Sequence, residues 1–234
     1  MENRGILNLS LIAYTMLILL KKDRYPINNF TIYGERHSGT NLLESLVKQS
    51  LRLPITWEFG WKHFFGFVKY QQIVDAKETL FFAITRNPYD WIMGMSKQPY
   101  HVPKENERPI KNLLLNEWVS IDDYRKEIKE DRHYLIGRKY KNIFEMRKNK
   151  LQYIINYMPK FCNNLCITTY EHITENTTSS VQILSKYFGL QSDIKKLPLI
   201  WSRNKYDISP ETKEIIDSQI DWNLESFFGY SARP

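Results

Sequence analysis

Cys162 and Cys166 are the only cysteines in the 234 residues. A lone C-x₃-C pair, with no further cysteine and no histidine cluster, excludes a structural zinc site and a disulfide-stapled scaffold. It leaves buried reduced thiols or one local disulfide. Long apolar runs are missing too. The best candidate, residues 5–20 (GILNLSLIAYTMLILL), is shorter than the ~20 residues a spanning helix needs, and Asn8 and Ser10 interrupt it. It reads as a signal-anchor, a secretory apolar region or a buried helix, and no small-residue cleavage pattern follows it. The basic residues lie mainly on its C-terminal side, Lys21-Lys22-Asp23-Arg24, which under the positive-inside rule favours a cytosolic domain. Membrane association through residues 5–20 and a cytoplasmic location both stay open. Sequons at Asn29 and Asn176 matter only in a lumen. The chain holds 15 Tyr, 12 Phe and 6 Trp, yet no Lys/Arg-rich tract is interleaved with them, which argues against a nucleic-acid partner. Internal repeats and low-complexity tracts are absent.

What remains is ordinary for one globular domain: 42% hydrophobic and 25% charged residues over a length that supports a sizeable core. The division is an N-terminal apolar segment with its basic flank, 1–24, and a folded domain, 25–234. A net charge of +7 favours an anionic partner.

Residues 30–47, FTIYGERHSGTNLLESLV, read as a short strand, a tight loop from Gly34 to Gly39 and a helix opening at Thr40. Such a loop aims backbone N–H groups and a helix start at one point, a ready site for phosphate or sulfate. Arg36, His37, Ser38 and Thr40 add side-chain donors. The spacing Gly34-x-x-x-x-Gly39 matches a Walker loop, but Thr40-Asn41 stands where a nucleotide hydrolase needs Lys and then Ser or Thr. Metal-assisted attack on a triphosphate is therefore disfavoured.

Other segments fall around this loop. Residues 55–59 suit a second strand, followed by a loop carrying Lys62 and His63. Residues 79–85 (TLFFAIT) suit a strand buried on both faces, delivering Arg86. Asn87-Pro88 with Asp90 is a helix start. In an open parallel sheet, ligands bind beyond the carboxyl ends of the strands, so these loops share a rim. Residues 97–109 read as a long loop whose His101 and Lys104 could meet a second substrate. Segments 111–120 and 122–131 read as charged surface helices. Residues 142–160 give the clearest helix, with Leu151, Ile154, Ile155 and Met158 inward and Arg147, Lys148 and Lys150 on a solvated face. A strand over 165–170 and a helix over 178–190, with Val181, Leu184, Tyr187 and Phe188 inward, follow.

The core Arg36-His37-Ser38-Gly39-Thr40 resembles the 5′-phosphosulfate loop of the sulfotransferases that use 3′-phosphoadenosine 5′-phosphosulfate (PAPS). LFFAITRNPYDW, containing Arg86-Asn87-Pro88, is similar to their 3′-phosphate motif. Lys62-His63 after the second strand, Tyr170-Glu171 after a later one, and the closing Gly229-Tyr230 resemble the family more loosely. The resemblance implies an α/β fold with a P-loop-type central parallel sheet flanked by helices. It implies transfer of sulfonate from PAPS to a hydroxyl or amine, with a glycan as the foremost acceptor and no metal. Transferred residue by residue, Arg36, His37, Ser38, Gly39, Thr40 and Asn41 hold the 5′ end. Lys62 contacts the bridging oxygen, and His63 or Glu58 is the base. Arg86 holds the 3′-phosphate, and Arg203, in a basic loop over 201–205, is a further cofactor contact. Arg147 and Lys150 are weaker ones. The chain departs from the family at Gly94, where a second phosphate-binding Ser is common. Ser96 is the nearest substitute, turned away by over half a helical turn. Two alternatives persist: a P-loop phosphotransferase using Mg·ATP, and an inactive anion-binding module.

Overall fold

The computed structural model describes residues 16–22, 24–66, 73, 75–199 and 206–234. Its four strands are β1 (Leu17–Lys21), β2 (Asn29–Tyr33), β3 (Thr79–Thr85) and β4 (Asn164–Thr169), arranged in the sheet as β1-β4-β3-β2. β2, β3 and β4 are parallel, and β1 runs antiparallel along β4. The fold is α/β, with helices on both faces of the sheet. β3 is central and buried over all seven of its residues, as its unbroken apolar run requires.

Alternation along the strands feeds two cores. Phe30, Ile32, Leu80, Phe82, Ile84 and Cys166 pack on one face against α1 (Thr40–Leu46, prolonged by a wider turn to Leu51). Tyr33, Phe81, Ala83, Leu165 and Ile167 pack on the other. A third cluster joins α2 (Pro88–Lys97), through Tyr89, Trp91, Ile92 and Met95, to Trp118 and Tyr140 of the middle segment. Further on lie α3 (Ile143–Asn156), α4 (Tyr170–Glu175), α5 (Thr177–Phe188) and α6 (Pro210–Gln219). Cys162 and Cys166 are both free and buried, and burial pushes both thiols up in pKa.

Several expectations change. Leu17–Leu20 belong to an edge strand and not to a helix: Leu17 and Leu19 reach one core, Ile18 and Leu20 the other. A short apolar run with both faces covered needs no helix to be buried. Among the described residues no helix is long and apolar enough to cross a membrane, and residues 5–15 lie outside them. The sheet is thus mixed, not purely parallel, and takes its edge from within the segment 1–24. The strand expected over 55–59 shrinks to one parallel bridge, Phe30 to Ile55. Residues 122–131 form turns: the Asp122 carboxylate accepts from the N–H groups of Tyr124 and Lys126, competing with helix formation. Tyr187 is exposed, while Val181, Leu184 and Phe188 of the same helix are buried.

Candidate functional site

Chain order creates the site. From β2 the chain moves outward to the Ile55 bridge, then crosses back to enter β3 on β2's other side. This reversal opens a crevice beyond the carboxyl ends of β2 and β3, the usual ligand position in an open α/β sheet. Three loops meet there: the one after Tyr33, the one after the Ile55 bridge, and Arg86 after Thr85.

The first loop turns as its sequence requires. Gly34 packs so tightly that an added Cβ would lie 2.6 Å from Ile84 O. Gly39 has φ +93°, and a Cβ there would lie 2.5 Å from the Tyr170 ring. α1 begins at Thr40, and its first N–H groups have no partner within the helix. The second loop is clamped onto the first, with Gly34 N–H donating to Lys62 O at 2.9 Å. At the third, the Asn87 side chain caps α2 by accepting from Tyr89 N–H at 3.1 Å, and Arg86 Nη1 donates to His37 O at 3.2 Å.

A cavity of about 510 Å³ lies between them, lined by Arg36, His37, Gly39, Thr40, Asn41, Lys62, His63 and Arg86. Trp61, Gln98, Tyr100, His101 and Tyr170 complete its wall. Among the described residues no carboxylate lines it. The volume is within the range of small-molecule sites.

The side chains differ in how free they are. Arg36 is buried and points inward, donating to Ser120 Oγ at 2.9 Å, with Glu35 at 3.5 Å and Asp131 at 3.8 Å. Its Nε has no hydrogen-bond partner among the described residues. Lys62 Nζ donates to Asn41 Oδ1 at 2.6 Å and to Glu44 at 3.3 Å. Partial burial works against ionised Glu44, but Lys48 and Lys62 hold its carboxyl below the usual range. Arg86 stacks on the Tyr170 ring at 4.7 Å and has no carboxylate partner among the described residues; its Nε is likewise orphaned. His37 Nε2 donates to Gln98 O at 2.8 Å, and burial with the Arg86 and Arg36 charges lowers its pKa. His63 is buried, and its Nδ1 donates to Gly34 O at 2.7 Å. Burial and the charges of Arg36, Lys62 and Lys150 take its pKa down to about 2.

Three expected site residues stand apart, and a fourth is not described. Ser38 is buried with its hydroxyl donated to Glu35 O at 2.6 Å, so it shapes the loop and does not line the cavity. Glu58 faces a separate cleft beside Asn29 and Thr79, at the opposite end of β2 and β3. Ser96 donates back to Met93 O at 3.0 Å. Arg203 lies outside the described residues. Of the two second-substrate candidates, His101 lines the cavity and Lys104 a different one. Gly94, where the related motif has Ser, is the floor on which His37 rests: an added Cβ would lie 3.1 Å from His37 Cβ.

Among solved structures the chain is similar to a sulfotransferase from Alicyclobacillus acidocaldarius, at 13% identity and a TM-score of 0.47, covering 89% of this chain and 98% of that one. No family model and no curated protein sequence matches the chain.

The largest correction concerns Arg147 and Lys150, which are buried rather than part of a solvated face. Arg147 pairs with Glu225 and donates to Arg86 O at 2.8 Å, bracing the third loop from behind. Lys150 pairs with Glu35, lies 2.7 Å from Asp131 off the hydrogen-bonding direction, and donates to His63 O at 2.7 Å. Neither lines the cavity; both hold the loops that do. Glu171 has a structural part, accepting from Asn87 N–H at 3.1 Å and Tyr230 Oη at 2.7 Å. Tyr170 joins the site without having been expected there, although its signal is legible: it follows the tip of β4, the strand paired with β3, and so lands on the same rim.

Proposed function

We propose that this cavity binds PAPS and that the protein transfers its sulfonate to a hydroxyl or amine acceptor. The observation that carries this reading is the cationic wall at the sheet's reversal point, Arg36, Lys62 and Arg86, with no carboxylate lining the cavity among the described residues. Bound there, PAPS would supply an activated sulfonate and a leaving adenosine 3′,5′-bisphosphate. Gly39, Thr40 and Asn41 offer main-chain donors to the 5′ end, and Arg86 offers a planar fork to the 3′-phosphate. Arg86, which lines the cavity and has no carboxylate partner among the described residues, fits an anionic occupant.

Lys62 reaches the same face of the first loop as Asn41, and there it neutralises charge that builds as the sulfur–oxygen bond to phosphate breaks. His63 accepts the acceptor's proton. Gly34 O can only accept a hydrogen bond, so Nδ1 carries the ring proton and Nε2 keeps its lone pair. In the free protein, burial and, after it, the charges of three neighbouring cations make this a weak base. Anionic charge in the cavity offsets them and brings the imidazole toward its working range.

The test is transfer of radiolabelled sulfonate from PAPS to a pool of mixed glycans. The expected result is turnover that falls by about 10²–10⁴ in His63→Ala with nucleotide binding retained. Phosphoryl transfer from Mg·ATP, with PAPS unused, would overturn the reading.

A further inference from the structure

We propose that the exposed indoles of Trp57 and Trp61 form the acceptor-binding surface of this site, and that the acceptor lays a pyranose ring on them. The proposal rests on the sulfonate-transfer reading and names its acceptor class.

Trp57 and Trp61 are 37% and 44% exposed, with ring centroids 4.8 Å apart and planes inclined by 33°. Scattered exposed apolar side chains are normal; two indoles in mutual contact, one of them lining the cavity, form a patch. The patch is held in place, since Lys62 Nζ sits 5.7 Å from one ring centroid and 5.4 Å from the other. The lysine assigned to the leaving phosphate therefore also fixes the ledge.

Position assigns the ledge to the acceptor. The Trp61 ring centroid lies 6.4 Å from that of His63, which meets it edge-on. A hydroxyl within hydrogen-bond reach of His63 Nε2 would carry its own skeleton over that indole. Tyr100, 60% exposed, also lines the cavity.

The surroundings choose the chemistry. A planar phenol is best held in a closed apolar slot, but among the described residues no Leu, Ile, Val or Met lines this cavity. Its walls are aromatic faces and polar groups, among them Gln98 and His101. A pyranose matches both: its C–H face meets the negative face of an indole, and its rim hydroxyls meet the polar side chains.

The experiment titrates the full chain with neutral, N-acetylated and uronate-containing tetrasaccharides, and with a tyrosyl peptide as the planar phenol. Calorimetry is the readout of affinity for the parent and both variants, and tryptophan emission of the parent is recorded beside it. At least one oligosaccharide is expected to shift the emission. Trp61→Ala should weaken that binding about tenfold or more, the scale found when a stacked ring is lost, and Trp61→Phe should largely restore it. Both variants should keep measurable binding of adenosine 3′,5′-bisphosphate, which shows that the loops around the cavity are still folded. A shift with the tyrosyl peptide alone, no response to any sugar, or undiminished sugar binding in Trp61→Ala would each overturn the proposal. The sugar titration needs no nucleotide, so failure of the sulfonate-transfer reading shows up separately, as absent bisphosphate binding by the parent protein.

Discussion

Gly34 and His63 are locked together: the Gly34 carbonyl accepts from His63 Nδ1 at 2.7 Å while the Gly34 N–H reaches the neighbouring Lys62 carbonyl at 2.9 Å. The bond fixes the imidazole tautomer and ties the proposed base to the anion loop.

It also sets a pH dependence. The folded-state pKa of His63, about 2, lies below the ~6.5 of an unfolded histidine. Between those values the unfolded chain binds the extra proton, so stability rises with pH and is lost as pH falls from ~6.5 toward about 2. The slope from this one group is at most about 1.4 kcal/mol per pH unit. Urea unfolding of the parent and of His63→Asn between about pH 4 and 7 should show a shallower dependence in the variant. A ring titrating near ~6.5 by NMR in the free protein would refute the burial argument.

Lys150→Met tests the network behind the loops. Lys150 is 2% exposed, and its loss leaves Glu35 and Asp131 to share Arg36. Breaking a buried ion pair from one side costs about 3–5 kcal/mol. Thermal unfolding should show a large drop in Tm, partly recovered by adding Glu35→Gln, which removes one of the stranded charges. Equal stability of the single variant and the parent would place Lys150 outside the network.

Gly94→Ser restores the residue that the related motif carries, and it should weaken the site rather than improve it. The new Cβ would lie 3.1 Å from His37 Cβ and 3.2 Å from His37 Cγ, pressing on the loop that Arg86 contacts. Calorimetry should give a several-fold loss of bisphosphate affinity. A gain would mean that the introduced hydroxyl reaches the phosphate and that His37 yields readily.

The parts legible in the sequence are those whose partners are local or whose pattern has one solution. The five apolar residues of β3 between Thr79 and Thr85, the Asn87-Pro88 start of α2 and the glycines around residues 34–39 each specify their own geometry. β1 is not legible because a short apolar run suits an edge strand and a helix end equally. Glu58 falls away from the rim because residues 55–59 make only a single bridge, so no strand carries that side chain there. Arg147 and Lys150 look solvated in the sequence because Glu225, Asp131 and Glu35, which neutralise them, come from other parts of the chain. The cavity's aromatic wall is hidden for the same reason: Trp61 and Tyr100 come from separate loops and Tyr170 from the start of α4.

Calorimetric titration of the parent and Arg86→Lys with adenosine 3′,5′-bisphosphate, adenosine 5′-monophosphate and Mg·ATP tests the central claim most directly. A charged hydrogen-bonded contact contributes about 1.5–3 kcal/mol, so the parent should prefer the bisphosphate over the monophosphate by roughly ten- to a hundredfold. Arg86→Lys should lose most of that preference, because an ammonium cannot bind the phosphate bidentately. Tighter binding of Mg·ATP than of the bisphosphate, or a 3′-phosphate preference that survives in Arg86→Lys, would contradict it.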